Sequence, residues 1–501
     1  MKRLFLAPIA GLLGLAGCMV GPKYERPSAL PQQPVPASFS QPAPGEPGWK
    51  AATPAADLPR GQWWELFKDP ELDRLEALAA AQSQPLAAAA ARLEQARAVV
   101  QAARSGLFPQ VSANPGYTRL RTSGNTPENG QPAGAAYTYG VWVLPADATW
   151  EADLWGRVRH GHQAAQARFH AAADDVESAR LALQAEVASD YFTLRSLDAE
   201  RALLAGTVNT YQRSLDLTRN RRLGGIVSDL DVSQAETQLR TVTAQLPALD
   251  LQRATLLHAL ATLCGTAATG FEVHPTGLGT NETALPLRAS TLPVALPSEL
   301  LERRPDIAAA ERRMAGANAD IGVARAAFYP QLVFNARGGF ESVNTSTVVD
   351  WPSRLWAVGP TLHVPIFTGG RLRAQLAATR GAYAEVVAGY RQTVLTAFQE
   401  VEDQLAAQRL LADQLAEQSA ALAAARHTLE IANNRYQAGL VTYLEVAIAQ
   451  SAALTDERIV VQLQGQRFVA SVGLIKALGG GWTDQRADAT APKGLESGPP
   501  E

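Results

Sequence analysis

The period of hydrophobic and polar positions changes several times along this chain, and each period predicts an element. From residue 157 to 222 no proline interrupts a run dominated by Ala, Leu, Gln, Glu and Arg, which predicts one continuous helix. At 1.5 Å per residue such a helix reaches about 100 Å, far beyond a globular helix. Within it Leu194, Leu197, Arg201, Leu204, Val208, Tyr211, Leu215 and Thr218 step by three and four, the seam of a coiled coil with some polar positions. Leu411, Leu415, Leu422, Ala425, Leu429, Ala432 and Tyr436 trace a second seam. Gly224-Gly225 and Gly439 permit turns, after which helical patterning resumes over 230–263 and 444–478. Between the helices the period falls to two. Trp142, Leu144, Ala146, Ala148, Trp150, Ala152 and Leu154 are apolar, and Asp147, Thr149, Glu151 and Asp153 lie between them. This alternation spans the roughly 9–11 residues of a membrane-crossing strand, with aromatics near its ends. Residues 355–367 repeat the theme with Trp356, Val358, Leu362, Val364 and Ile366 on one face. Residues 111–120 and 332–340 are weaker partner strands, each followed by a polar loop (121–136 and 341–353).

The order of these elements occurs twice. Residues 217–232 align with 431–446, with identical pairs Asn220/Asn434, Arg221/Arg435, Gly225/Gly439, Val227/Val441, Leu230/Leu444 and Val232/Val446, so that 434 − 220 = 214. Gly156-Arg157 and Gly370-Arg371 share that offset. Upstream, Arg92, Ala96, Arg104, Pro109 and Gln110 pair with Arg313, Ala317, Arg325, Pro330 and Gln331, where 331 − 110 = 221. The first copy therefore carries 221 − 214 = 7 extra residues between its Pro-Gln and its Gly-Arg. Two units with the same landmarks indicate a duplication. The first repeat covers 61–264, as a helix, a β-hairpin (108–155) and a helical hairpin (157–263). The second covers 301–482, with a β-hairpin at 329–368 and a helical hairpin at 371–478, and residues 265–300 link the two. Two hairpins supply four strands, too few to close a pore. Three copies would supply twelve and remove every edge, which points to a homotrimer.

Lys2-Arg3 and the apolar stretch 4–16 have the length of a secretory signal and are too short to span a bilayer. Leu15-Ala16-Gly17-Cys18 resembles a bacterial lipobox, so that 1–17 would be removed and Cys18 would carry a covalent lipid. Met19 in place of aspartate favours outer-membrane sorting. Residues 18–60 are rich in proline, with Gln, Ser and Ala between, and read as an extended tether without a core of its own. The tail at 483–501 lacks periodicity and reads as disordered.

Composition removes several function classes. The net charge is −3, and no Lys/Arg run is present to neutralise a phosphate backbone, so a nucleic-acid partner is not expected. Of two cysteines, Cys18 is consumed by lipidation, which leaves Cys264 unpaired as a small apolar filler near a helix end. No apolar stretch after residue 17 reaches 18 residues, so any crossing of a membrane must use β-strands. His160 and His162, two apart on a helix, face different sides and make a poor metal pair. No phosphate-binding loop, Gly-x-Ser-x-Gly elbow or His-Glu-x-x-His occurs. No enzyme activity, metal or cofactor beyond the lipid is expected, and three methionines are too few to line a soft-metal path.

Several motifs resemble the TolC-type outer-membrane efflux proteins in their lipoprotein branch. They are residues 18–27, the paired Leu107-Phe108-Pro109-Gln110 and Phe328-Tyr329-Pro330-Gln331, and residues 150–157, 365–371 and 477–482. The resemblance implies a mainly α fold with a transmembrane β part: a trimeric twelve-stranded β-barrel, a trimeric α-barrel of long helices in the periplasm, and an equatorial girdle. It also implies a passive outer-membrane channel for drugs or other small toxic molecules, partnered by a periplasmic adaptor protein and an inner-membrane transporter. A protein-secretion channel and a non-porous coiled-coil lipoprotein are the alternatives. The matching positions put adaptor contacts at Gly224, Gly225, Ile226, Ala438, Gly439 and Leu440. Asp231 and Tyr436 match residues whose bonds keep such channels shut, and Glu445 occupies the position equivalent to Asp231, since 445 − 231 = 214. In a trimer six carboxylates would then ring the narrow end, favouring cations and raising one another's pKa values. The arginine expected near Val441 is missing and a second acidic position is the apolar Ile448, which leaves Arg222 and Arg435 as candidate cations.

Overall fold

A computed structural model describes residues 19–30, 62–125, 134, 136–274 and 304–480. Cys18, the signal, most of the Pro-rich segment, most of the linker and the tail lie outside the described residues. The chain is mainly helical with one antiparallel sheet. In chain order the elements are α1 (Pro70–Gln82), α2 (Gln84–Ser105), β1 (Gln110–Ala113), β2 (Gly116–Arg121), β3 (Thr138–Ala152), α3 (Arg157–Leu223), α4 (Asp229–Leu263), α5 (Pro305–Ala326), β4 (Gln331–Ser342), β5 (Arg354–His363), α6 (Arg371–Gln437) and α7 (Tyr443–Ala477). The internal offsets recur in the element bounds. α3 and α6 each have 67 residues and α4 and α7 each have 35, starting 371 − 157 = 214 and 443 − 229 = 214 apart. α2 and α5 each have 22 and start 305 − 84 = 221 apart.

The chain divides into two compact units. The first comprises 19–28, 92–173 and 309–390 and holds the sheet, in the order β1–β3–β4–β5 with β2 continuing β1's lane along β3. Where the alternation predicts one strand over 111–120, two short strands form, because Pro115 has no N–H to give to the ladder. β5 ends at His363, before Pro365, and it keeps Pro360 because one side of an edge strand needs no donor. The register sorts the side chains cleanly. Trp142, Leu144, Ala146, Ala148, Trp150 and Ala152 of β3 oppose Ser342, Phe340, Gly338, Ala336, Phe334 and Leu332 of β4. The latter oppose Arg354, Trp356, Val358, Pro360 and Leu362 of β5, from Phe340 onward. Trp150 stacks on Phe334 at 5.8 Å and Tyr117 tilts against Trp142 at 4.7 Å on this apolar face, where Trp356, Val358 and Leu362 are exposed. The other face carries polar groups along its helix-proximal part, with Asp147 paired to Arg337 (3.7 Å) and Asn335 donating to Thr361 (3.1 Å), while Tyr139, Val141 and Val143 lie on it nearer the loops.

The segment 19–28 is extended, as its prolines dictate, yet docked rather than a bare tether. The Val20 N–H donates to the Trp155 carbonyl (3.0 Å), Asn318 donates to the Pro22 carbonyl (3.2 Å), and Arg26 reaches the Tyr390 hydroxyl (3.2 Å) and Glu311 (3.5 Å). The buried His160 ring lies against Gly21 and Gly322, where an added Cβ would stand 2.8 and 2.6 Å from it. Burial lowers the His160 pKa, which keeps the ring neutral in this slot.

The second unit comprises 29–30, 62–91, 174–274 and 304–308 together with 391–480. Its apolar core includes Trp63, Phe67, Leu72, Leu75, Tyr191, Phe192, Leu194, Leu260, Phe468 and Val472. Cys264 is buried there, its thiol donating to the Leu75 carbonyl and pushed up to about 11 by burial, so it packs and does not react. Asp69 caps α1 by accepting from the Glu71 N–H (3.1 Å) and also accepts from the Tyr191 hydroxyl (2.6 Å) and Arg195 (3.3 Å). Glu76 is buried with neither carboxyl oxygen hydrogen-bonded, and burial pushes it up to about 9. The unfolded chain ionises this group near its ordinary value and the folded chain does not, so folding loses stability as pH rises from about 4.5 towards about 9. Glu76→Gln removes that loss. Its gain in unfolding temperature over the parent protein is expected to be larger at pH 8 than at pH 5, and an equal change at both pH values would refute the assignment.

Candidate gate and docking surface

The two helical hairpins turn in the same way. α3 ends at Leu223, and Gly225 (φ +74°) lets the Ile226 N–H reach the Arg221 carbonyl (2.9 Å) while its own N–H reaches Arg222 (3.0 Å). α6 ends at Gln437, and Gly439 (φ +75°) lets Leu440 reach Arg435 (3.0 Å) and itself reaches Tyr436 (3.0 Å). Both are Schellman closures, which require a left-handed residue at that place. Gly225 and Gly439 are thus explained by backbone conformation. Gly224 and its counterpart Ala438 are small without a positive φ to demand it, and a Cβ on Gly224 would meet nothing closer than 3.6 Å. Ile226 and Leu440 project from the two turns, 67 % and 71 % exposed.

Four hydrogen bonds and one cation–π contact tie one tip to the other. The Tyr436 ring is buried at the end of the α6 seam, and its hydroxyl shares a hydrogen bond with Thr218 of α3 (3.2 Å). Arg221 lies over that ring at 4.8 Å and donates to the carbonyls of Tyr436 (2.7 Å) and Gln437 (2.6 Å), the last turn of α6. Asp231 accepts from the Tyr443 N–H (3.2 Å), the first donor of α7. The same carboxylate closes a capping box on α4, accepting from the Ser228 N–H (3.0 Å) and hydroxyl (2.7 Å). Thr442, the N-cap of α7, contributes no side-chain bond, so Asp231 serves both helices. Burial opposes its ionisation, but the bonds from Ser228 and the Tyr443 N–H prevail and hold it below the usual carboxylate range. Within one chain Asp231 is therefore stabilised as an anion, the opposite of the mutual elevation expected from a ring of carboxylates.

The duplicate position behaves differently. Glu445 is half exposed and pairs with Arg435 at 3.5 Å. Arg222 pairs with Asp229 (2.7 Å) and touches neither candidate gate carboxylate. Of the two cations named from sequence, Arg435 reaches Glu445 and Arg222 serves elsewhere. Arg221, not singled out from sequence, makes the closest tie between the tips. Its signal was a cation in the last turn of a helix, where arginine satisfies free carbonyls. Among the described residues no group of three or more His, Cys, Asp or Glu side chains could hold a metal, and no helix is long and apolar enough to cross a membrane.

The chain matches the family described as outer membrane efflux protein over residues 75–266 and 296–480. It is 33 % identical to the toluene efflux pump outer membrane protein TtgF of Pseudomonas putida, over 96 % of this chain and 98 % of that one. It is 32 % identical to the pyoverdine export outer membrane protein OpmQ of Pseudomonas aeruginosa, over 97 % and 98 %. The solved outer-membrane channel OprN superposes with a TM-score of 0.83 at 27 % identity, covering 93 % of this chain and 100 % of that one.

Proposed function

The chain belongs to the outer membrane efflux protein family, and from that premise we propose that it is the lipid-anchored, homotrimeric outer-membrane channel of a tripartite efflux pump. The observation that carries the proposal is the sheet. One face is apolar and exposed, the other carries the polar groups of the helix-proximal part, among them the Asp147–Arg337 pair, and both edges (β1/β2 and β5) are open. An apolar exterior, a polar interior and unsatisfied edges fit three copies closing one barrel around an aqueous path. Two similar relatives bear cargo names as different as toluene and pyoverdine. That range suits a passive conduit for small molecules whose selection and energy come from an adaptor and an inner-membrane transporter.

Lipid on Cys18 supplements the barrel. Met19, the first described residue, packs against Gly156, just past the end of β3. Acyl chains bind reversibly or moderately, whereas a closed barrel is effectively permanent. A Cys18→Ser protein given an ordinary cleavable signal is expected to be recovered from the outer membrane as a trimer with unchanged conductance. Its recovery as a soluble periplasmic monomer would overturn the barrel reading. The exposed Ile226 and Leu440, beside the small Gly224 and Ala438, form the surface offered to the adaptor. Ile226→Asp with Leu440→Asp is expected to abolish adaptor cross-linking and efflux while leaving the trimer intact, and persistence of cross-linking would reduce these tips to turns.

A further inference from the structure

The distal end of the sheet, where strands meet the loops at 122–137 and 343–353, carries three arginines on the apolar face. Tyr117 opposes Trp142 across β2 and β3, and Arg119 and Arg121 follow at alternate positions opposite Gly140 and Thr138. They therefore share the face of Trp142, with Arg119 about 7 Å and Arg121 about 14 Å further towards the loop. On β5 the exposed Trp356 opposes Gly338, and Arg354 lies two residues nearer the loop, opposite Phe340. Its guanidinium covers the Trp351 ring at 3.7 Å. β2 and β5 are not duplicates of each other, so an aromatic followed distally by arginine has arisen twice. All three guanidiniums are exposed, and none pairs with a carboxylate among the described residues.

Guanidinium groups on a membrane-facing surface, just past its aromatic girdle, stand at headgroup height and match phosphate with paired donors. We propose that Arg119, Arg121 and Arg354 form a basic rim that binds the phosphates of the phosphorylated glycolipid of the outer leaflet. The inference rests on the channel reading, which makes the loop end the exterior. Barrel closure by three copies sets the β5 edge of one chain beside the β1/β2 edge of the next, so the rim arginines would gather at each subunit seam. Glycolipid is favoured over ordinary phospholipid because a diphosphorylated sugar headgroup presents several phosphates to guanidiniums on adjoining strands.

The test uses the full-length protein purified from outer membranes in detergent, titrated with bisphosphorylated lipid A, dephosphorylated lipid A or phosphatidylglycerol, with bound lipid counted by native mass spectrometry. The parent is expected to prefer the bisphosphorylated form about a hundredfold, at about fivefold for each of the three guanidiniums. Arg119→Gln, Arg121→Gln and Arg354→Gln together should erase the preference, and the triple lysine variant should retain part of it. If the triple variant is poorly produced, Arg354→Gln alone should lower the preference severalfold. Equal binding by parent and variants, or indifference to the phosphates, overturns the rim. Phosphatidylglycerol bound as tightly and lost with the same substitutions overturns the glycolipid assignment. Failure of the parent to fractionate with outer membranes would instead overturn the channel reading beneath it.

Discussion

Arg195→Ala is expected to destabilise the folded protein by about 3–5 kcal/mol, because it leaves a buried carboxylate without its counter-charge. Arg195 and Asp69 are 1 % and 4 % exposed, and the pair is joined by the buried Tyr191, whose hydroxyl donates to Asp69 (2.6 Å) and accepts from Arg195 (2.9 Å). The Nε and Nη2 of Arg195 have no hydrogen-bond partner, so the guanidinium is held by this one corner of the network. Removing it leaves Asp69 with one hydroxyl and one backbone N–H in a site closed to water. The Arg201–Asp250 pair provides the contrast. Its contact is shorter, 2.6 Å, but both side chains are about half exposed, and Arg201→Ala is expected to cost less than about 1 kcal/mol. Thermal unfolding of the purified protein compares the two. A loss at Arg195 no greater than that at Arg201 would show that burial does not govern this pair.

That contrast marks what could be read along the chain. The long helices, their turns and the duplication were legible because they are local: Arg157 and Arg371, or Gly225 and Gly439, announce themselves by composition, spacing and a constant offset. The alternating strand over Trp142 to Trp150 was legible because burial on one face imposes a period of two. The break at Pro115 and the early end of β5 before Pro365 are also local rules, outweighed in the pattern by the apolar residues around them. What escaped depends on partners far away in sequence. Pro-rich composition describes 19–28 as extended, but its bonds go to Trp155, Glu311, Asn318 and Tyr390. Asp231 and Glu445 are equivalent by offset, yet only Asp231 finds a second helix start at Tyr443. Arg221 and Arg435 are an identical pair, yet Arg221 reaches the end of α6 and Arg435 reaches Glu445. Duplication preserves the residue, and the non-repeated surroundings decide its work.

Arg221→Ala is expected to raise the closed-state conductance of the reconstituted channel and to increase the open population about tenfold. An opening that parts the α3–α4 tip from the α6–α7 tip must break the ties between them. Arg221 supplies two charge-assisted hydrogen bonds to the Tyr436 and Gln437 carbonyls and a cation–π contact at 4.8 Å, on a half-buried side chain. Discounted for partial solvation, these ties come to about 1–2 kcal/mol, which is about a tenfold shift in a two-state equilibrium. Tyr436→Phe breaks the bond to Thr218 but keeps the ring beneath Arg221, so a smaller change in the same direction is expected. Asp231→Asn keeps one acceptor oxygen, enough for Ser228 or for the Tyr443 N–H but not for both, whereas Asp231→Ala removes both bonds. Leakage should therefore rise much more in the alanine variant. Charge is a separate matter: Asp231→Ala with Glu445→Ala should also lower cation selectivity, by removing six carboxylates from a trimer's narrow end. Arg222→Ala is the control, since it loses only an exposed pair with Asp229 and touches neither tip tie. Planar-bilayer recordings separate these outcomes. If Arg221→Ala conducts like Arg222→Ala, the bonds at Tyr436 and Gln437 fasten two helix ends and do not hold a gate.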